Sequence, residues 1–383
     1  MKRKFAILGS TGSIGINLLQ LINKKKISCQ ISLLTCNKNY KLLLKQSKIF
    51  KVKNVIIFDK KVYKKRKELF IKNKINIYNK FHPTKEIFDY TMCAISGLDG
   101  IIPTLNIIKN SKKISIANKE VIICAWPLIE KKLRFYKTTF VPVDSEHFSI
   151  WYSLKNNSYK NIQHVYLTAS GGPFLKKKIN ELQNVNISDT IKHPNWKMGK
   201  KISIDSATMM NKVFEIIEAK NIFNLKYNQL SILIHPKSYI HSIIEFKDGM
   251  IKLIAHEPDM KIPILNTLPD FVSKRIITKK LDINILNNLN LSKSDLSKFP
   301  LVKVLKLMPK NSSLFETLIV STNDTLVELY LRKKIKYNEI HKLFFKIINL
   351  KKFQRYKKIT NYRINDILNL VKKVRLNLNL LGI

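Results

Sequence analysis

Four stretches of this 383-residue chain combine residue types and spacings that could do chemistry. The first is Gly9-Ser10-Thr11-Gly12-Ser13-Ile14-Gly15, which follows an apolar run and opens an amphipathic one. Glycines there permit a tight turn and a close approach of backbone. A helix N-terminus then offers free N–H groups and about half a positive charge to a pyrophosphate. The same glycines suit an ordinary turn, but their place between strand and helix points to a dinucleotide. After the second predicted strand no acid stands where a ribose 2′-hydroxyl would be held. Asn37-Lys38-Asn39 stands there instead, and a Lys favours a 2′-phosphate, hence NADP over NAD.

The second stretch is Val143-Asp144-Ser145-Glu146-His147, at a predicted strand end. If the strand continues through it, Asp144 and Glu146 share one face. Two such carboxylates repel unless a cation or protons neutralise them, and all-oxygen donors suit Mg²⁺ or Mn²⁺. A solvated strand end is equally compatible. The third stretch, Thr168-Ala169-Ser170-Gly171-Gly172-Pro173-Phe174, follows another strand and could hold a phosphate with Ser170 and backbone N–H groups, or be a plain turn.

The fourth runs from His193 to Glu215 and is the richest. Its helix is expected over 207–223, with Ser206 where the helix begins and Asn211 and Glu215 on one face. A hydroxyl, an amide and the Lys212 ammonium make a phosphate cradle. Gly199, Trp196 and Met198 suit a lid closing over substrate. Read alone, Trp196 and Met198 also suit core packing, Glu215 a surface helix position and Lys212 a solvated charge.

These stretches need elements to position them. Lys4–Leu8, Ile31–Thr35, Val55–Phe58, Thr91–Ser96, Ile114–Ala117 and Thr139–Val143 read as strands alternating with helices such as Ile14–Ile22. That alternation predicts an α/β fold with an N-terminal doubly wound, Rossmann-like domain over 1–144. Residues 145–269 read as an α+β catalytic domain, with strands at Val165–Ala169, Ile232–Ile234, Ile243–Phe246 and Met250–Ile254. Residues 270–296 read as a connector and 297–383 as a C-terminal helical domain.

Composition narrows the function. The chain carries 70 Lys+Arg against 26 Asp+Glu, a formal charge of +44, which invites a nucleic-acid reading. Only eight of the basic residues are Arg, the preferred reader of phosphate and guanine, and the Lys are scattered. A solvated basic surface fits better, with no specific nucleic-acid partner. Glycine numbers ten, against about 27 at average usage, and eight of the ten fall in four clusters: Gly9–Gly15, Gly97 with Gly100, Gly171 with Gly172, and Gly199. Cys29, Cys36, Cys93 and Cys124 form neither a C-x-x-C pair nor a disulfide framework, which suits a reduced, cytoplasmic protein. No apolar run approaches 18 residues, and the one after Met1-Lys2-Arg3-Lys4 stops after four, so neither a membrane span nor a targeting segment is expected.

Taken together, the chain resembles the 1-deoxy-D-xylulose 5-phosphate reductoisomerases. The matching motifs, in order, are Gly9–Gly15, Ala117-Asn118-Lys119-Glu120, Pro142–His147, Thr168–Phe174, His193–Glu215, His235-Pro236 with His241-Ser242, and Glu257-Pro258-Asp259-Met260. The resemblance implies NADPH contacts at Thr11, Gly12, Ser13, Ile14, Lys38, Asn39, Asn118, Glu120 and Gly199. It implies one Mg²⁺ or Mn²⁺ on Asp144, Glu146 and Glu215. Substrate contacts would be Lys119, Ser145, Glu146, Ser170, His193, Ser206, Asn211, Lys212 and Glu215. The phosphate would rest mainly on Ser170, Ser206, Asn211 and Lys212, and the catalytic set would be Glu146, Lys119 and His193. A small phosphorylated sugar, carbon–carbon cleavage and rejoining, hydride delivery and a homodimer are further implications. The departures are Asn37 and Val213 where the family has Gly, Lys237 for Gln, and Ser321-Thr322-Asn323-Asp324 for an Ala-Ala-Asn-Glu pattern; the last puts packing or dimer contacts in doubt more than chemistry. A semialdehyde dehydrogenase could share the glycine turn, but it needs a nucleophilic Cys in its second domain, and all four cysteines lie at or before position 124.

Overall fold

The computed structural model describes residues 2–81, 86–154, 158–196, 199–269, 278, 280 and 282–380. They fall into two compact units. The first comprises Met1–Ile122, Pro127–Phe148 and Met260–Ile277; the second comprises Ile123–Trp126, Ser149–Asp259 and Thr278–Ile383. None of the described helices is long and apolar enough to cross a membrane.

The first unit is built on seven parallel strands. These are β1 (Arg3–Leu8), β2 (Cys29–Cys36), β3 (Asn54–Ile57), β4 (Asn76–Tyr78), β5 (Tyr90–Cys93), β6 (Lys113–Ile116) and β7 (Thr139–Pro142). Parallel strands covered on both faces read as near-continuous apolar runs, which is why Phe5–Leu8 and Ile31–Cys36 are buried throughout. The order is β4-β3-β2-β1-β5-β6-β7, so the chain winds outward from β1 one way and then returns to wind the other. The sequence reading misses β4, whose three residues form an edge. It also misses the return of a late segment. Ile264, Leu265 and Leu268 join the core of Ile7, Leu18, Leu34, Val55 and Phe70, and Thr267 hydrogen-bonds Tyr90 at 2.7 Å.

The turn after β1 is shaped by contacts that leave no room for a side chain. Gly9 has φ +78°, and a Cβ there would lie 2.6 Å from the Ala94 carbonyl oxygen. A Cβ on Gly15 would lie 2.5 Å from Ser10 Cα. Ser10 is pinned by its amide to the Thr35 carbonyl at 2.9 Å and by its hydroxyl and carbonyl to the Gln46 side-chain amide, both at 2.8 Å.

In the second unit, β8 (Ile162–Ala169), β9 (Leu230–Ile234), β10 (Ile240–Phe246), β11 (Ile251–Ala255) and β12 (Ser292–Lys293) form a sheet in the order β11-β10-β8-β9-β12. Only β8 and β9 run parallel. The β10–β11 hairpin turns at Lys247-Asp248-Gly249, with Gly249 at φ +84°. The helix Met210–Phe223 lays Ile216, Ala219 and Phe223 against Val165, Leu167 and Ile244. The C-terminal part is helical as expected: Leu314–Leu331 packs on Tyr337–Ile348 and on Ile364–Leu380.

One expectation fails here. The helix expected over 207–223 begins three residues later, at Met210, and a separate helix, Lys200–Ala207, precedes it. The Thr208 hydroxyl bonds back to the Ile204 carbonyl at 3.1 Å, and Met209 turns left-handed at φ +61°, which ends the first helix. Ser206 therefore sits in the last turn of one helix and not at the start of the other.

The turn geometry separates two glycines. Gly9→Ala should cost about 1–3 kcal/mol, because its φ and the Ala94 contact both forbid a Cβ. Gly12→Ala, at φ −84° with its nearest neighbour 3.4 Å away, should stay within about 0.5 kcal/mol of the parent. Urea unfolding of both variants decides this; equal losses would refute the account.

Candidate active site

In the first unit, a cavity of about 590 Å³ opens at the carboxyl ends of the strands. Its walls include Gly9, Thr11 and Gly12 after β1, Asn37 after β2, and Ala94, Ile95 and Ser96 after β5. The strand order reverses between β1 and β5, and that is where open α/β sheets bind their ligands. Gly12 precedes the helix Ser13–Lys24 and supplies no side-chain cap, so the N–H groups of Ser13 and Ile14 belong to an uncapped first turn facing this end. Exposed Lys38 lies 3.9 Å from Asp59. Asn39 caps the helix Tyr40–Ile49 by accepting from the Leu42 amide at 3.2 Å.

Gly97 and Gly100, which the sequence places after a strand and at a helix start without a ligand role, find their reason at Asn118. The Asn118 amide donates to the carbonyls of Ile95 and Gly97, and its oxygen accepts from the Val121 amide at 3.0 Å. Gly97 has φ +69°, and a Cβ on Gly100 would lie 2.7 Å from the Asn118 amide nitrogen. Asn118 thus ties the loop after β5 to the start of the helix Lys119–Tyr136, whose first turn carries the buried Glu120.

The acidic stretch is not an extended strand. β7 ends at Pro142 and a helix begins at Ser145, so Asp144 and Glu146 share the start of a helix and not the face of a strand. Negative charge is favoured there by the helix dipole. Lys119 Nζ lies 2.8 Å from Asp144, whose other oxygen accepts the Ser145 amide at 3.0 Å. The Ser145 hydroxyl donates to Glu146 at 2.6 Å.

The second unit gathers Ser170, His193 and Ser206. Gly171 and Gly172 take φ +81° and +67°, and a Cβ on Gly172 would lie 2.7 Å from the Ser206 carbonyl oxygen. The close packing of these two backbones puts the Ser170 loop beside the turn that carries Ser206. His193 Nδ1 accepts the amides of Asn195 at 3.2 Å and Trp196 at 3.0 Å, so the hydrogen of the neutral ring sits on Nε2, 3.1 Å from the Ser170 hydroxyl oxygen. That oxygen also accepts the Gly172 amide at 3.1 Å. Its own hydrogen is then left to donate, which is the polarity an anionic oxygen requires. Trp196 meets His241 edge-on at 6.2 Å; Met198, the other lid residue named from sequence, lies outside the described residues.

In the helix Met210–Phe223, Glu215 accepts from the Asn211 amide at 2.5 Å and from the Lys212 ammonium. The Lys212 and Glu215 side chains are 4% and 2% exposed, which overturns the surface-charge readings of both. Gly199 is exposed and precedes the helix Lys200–Ala207. Thr35 and Gln46, which hold the glycine turn, carry no signal in the sequence. Burial pushes the Cys36 and Cys93 thiols up to about 12 and Cys29 to about 11, so these three are not poised as nucleophiles.

A glycine turn and a cavity at the switch point of a parallel sheet define a class: a Rossmann-like, dinucleotide-binding α/β protein. Family models narrow it. The 1-deoxy-D-xylulose 5-phosphate reductoisomerase model matches residues 5–126, and two C-terminal domain models of the same enzyme match 140–223 and 256–377. The reductoisomerase of Pelagibacter ubique is 51% identical over the whole of both chains. That of Clostridium tetani is 38% identical, covering 89% of this chain and 91% of its own. The Zymomonas mobilis enzyme in complex with NADPH superposes with TM-score 0.85 at 31% identity, over 98% of both chains. A DOX-P reductoisomerase in complex with NADPH, fosmidomycin and magnesium gives 0.88 at 31% identity, over 97% of this chain and 96% of that one. The chain belongs to the 1-deoxy-D-xylulose 5-phosphate reductoisomerase family.

Burial lowers the His193 pKa from 6.5 to about 4. Between those values the unfolded chain takes up a proton that the folded imidazole refuses. The neutral ring's contribution to stability is therefore complete above pH 6.5 and is lost as pH falls towards 4. An NMR titration of His193 should show a midpoint close to 4; a midpoint at 6.5 would show that Nδ1 does not stay an acceptor for the Asn195 and Trp196 amides through mild acid.

Proposed function

We infer that this chain converts 1-deoxy-D-xylulose 5-phosphate into 2-C-methyl-D-erythritol 4-phosphate with NADPH and a divalent cation, a step of isoprenoid precursor synthesis. The observation that carries this is membership of the family along the whole chain, at 51% identity to one of its curated members.

The residues present fit both groups. For NADPH, the cavity at the switch point, the missing Cβ at Gly9 and the uncapped helix start suit a pyrophosphate. Thr11, Gly12, Ser13, Ile14, Lys38, Asn39, Glu120 and Gly199 contact the cofactor in this reading, while Asn118 shapes the loop beneath it. For the cation, Asp144, Glu146 and Glu215 provide an all-oxygen donor set suited to Mg²⁺ or Mn²⁺. Asp144 and Glu215 each hold a lysine ammonium, whose place as counter-charge a bound cation would take. When bound, the cation supplies Lewis-acid polarisation of substrate oxygens and NADPH supplies the hydride.

The chain's own residues bind and orient. The Ser170 and Ser206 hydroxyls, the Asn211 amide and the Lys212 ammonium grip the phosphate. That grip provides remote binding energy for orientation at the reacting carbons. His193 stays neutral and fixes the Ser170 hydroxyl. Lys119, Ser145 and Glu146 meet the reacting end of the sugar, with Lys119 as proton donor to a developing alkoxide. Trp196 excludes water over it. The first unit's sheet serves as the NADPH domain, and the central sheet with its helices serves as the catalytic domain.

NADPH oxidation measured with 1-deoxy-D-xylulose 5-phosphate should require a divalent ion; no metal-dependent oxidation would sink the reading. In the same assay Glu215→Gln should abolish turnover while NADPH affinity is retained, and equal loss of both would contradict its place among the metal ligands.

We further propose a homodimer in a reducing, cytoplasmic setting. Four free cysteines support the setting. Edge strand β11 supports the dimer, because it leaves Ile251 and Leu253 54% and 45% exposed beside unpaired backbone. Light scattering should give twice the 44.7 kDa chain mass, and Leu253→Lys should shift it towards the monomer. A parent chain that elutes as a monomer at micromolar concentration would refute this.

A further inference from the structure

Ser206 lies in a helix of eight residues, too short to hold its own direction in water. Contacts from the C-terminal helices supply that direction. Asn323, in the helix Leu314–Leu331, donates through its amide to Asp205 Oδ1 at 2.7 Å, with both residues buried. Lys201 Nζ lies 3.1 Å from Asp205 Oδ2 and 2.9 Å from Asp324 Oδ1. The same ammonium stands 5.5 Å from the centre of the Phe214 ring, in the helix Met210–Phe223. The Tyr337 hydroxyl donates to the Ala207 carbonyl at 2.7 Å. The residues on both sides of Ser206 are therefore anchored to the C-terminal helices, and Gly172 backs its carbonyl.

Each oxygen of the buried Asp205 carboxylate has one donor: an amide on Oδ1 and an ammonium on Oδ2. Asp324 in turn shares that ammonium and keeps it from leaving. Without Asn323 or Asp324 the helix that carries Ser206 would keep fewer tethers to the C-terminal helices.

We propose that Asn323 and Asp324 are positioning residues for recognition of the substrate's phosphate, acting through Asp205 and Lys201 on Ser206. The inference rests on the phosphate role of Ser206 stated above. It gives the Ser321–Asp324 stretch a part in substrate binding, beyond packing.

The test is steady-state kinetics of Asn323→Ala, Asp324→Ala and Asp324→Glu, with inorganic phosphate as a competitive inhibitor. The two alanine variants should raise the KM for the sugar phosphate and the Ki for phosphate together, by about tenfold. Their kcat and their KM for NADPH should stay within about twofold, and Asp324→Glu should restore the parent values. Unchanged KM and Ki in the alanine variants would overturn the proposal. So would a parallel rise of both substrates' KM with a lowered Tm, the mark of general loosening. If Asn323→Ala fails to fold, Asp324→Asn, at a position 18% exposed, carries the same test. A parent enzyme without turnover would sink the functional assignment itself, whereas variant kinetics bear only on this inference.

Discussion

A carboxylate withdrawn from water needs a counter-charge, and that requirement organises this molecule. Asp144 meets Lys119, Glu215 meets Lys212, and Asp205 meets Lys201. The Lys212–Glu215 pair is almost wholly buried. Removing one partner of such a pair costs about 3–5 kcal/mol, because the other is left charged in a poor solvent. Acid and base are therefore locked together before any ligand arrives.

The large lysine surplus reads differently beside these pairs. Most of the 70 basic residues lie scattered over the chain, but a few are buried or half-buried beside acids. Composition cannot separate the two kinds, since a Lys inside a helix face and a Lys on its outside share one letter. Lys212 and Glu215 are three apart, a spacing that equally describes a solvated surface pair. What distinguishes them is that the helix Met210–Phe223 is buried nearly all round, wrapped by the second unit's sheet and by later chain.

Glycine placement was the better guide. The shortage of glycine made each cluster visible, and the physical reason for it is backbone crowding: Gly9 against Ala94, Gly15 against Ser10, Gly172 against Ser206. From sequence Gly97 and Gly100 follow a strand and open a helix but take no ligand role, and their partner, Asn118, is hidden because it is about twenty residues away. The same limit hid Thr35 and Gln46 behind the glycine turn, and hid the segment around Ile264 that completes the first core.

Residue order was enough to reveal the alternation of strands and helices, the glycine turn, the order of the motifs and the family they resemble. Those are carried by local periodicity and short spacings. Tertiary structure alone decided that Asp144 and Glu146 begin a helix, that Ser206 closes one, and that Glu215 and Lys212 are buried together. It also decided that Asn323 reaches Asp205 across 118 positions. Burial and long-range hydrogen bonds depend on which surfaces meet after the chain has closed its loops, and no window of neighbouring residues contains that information.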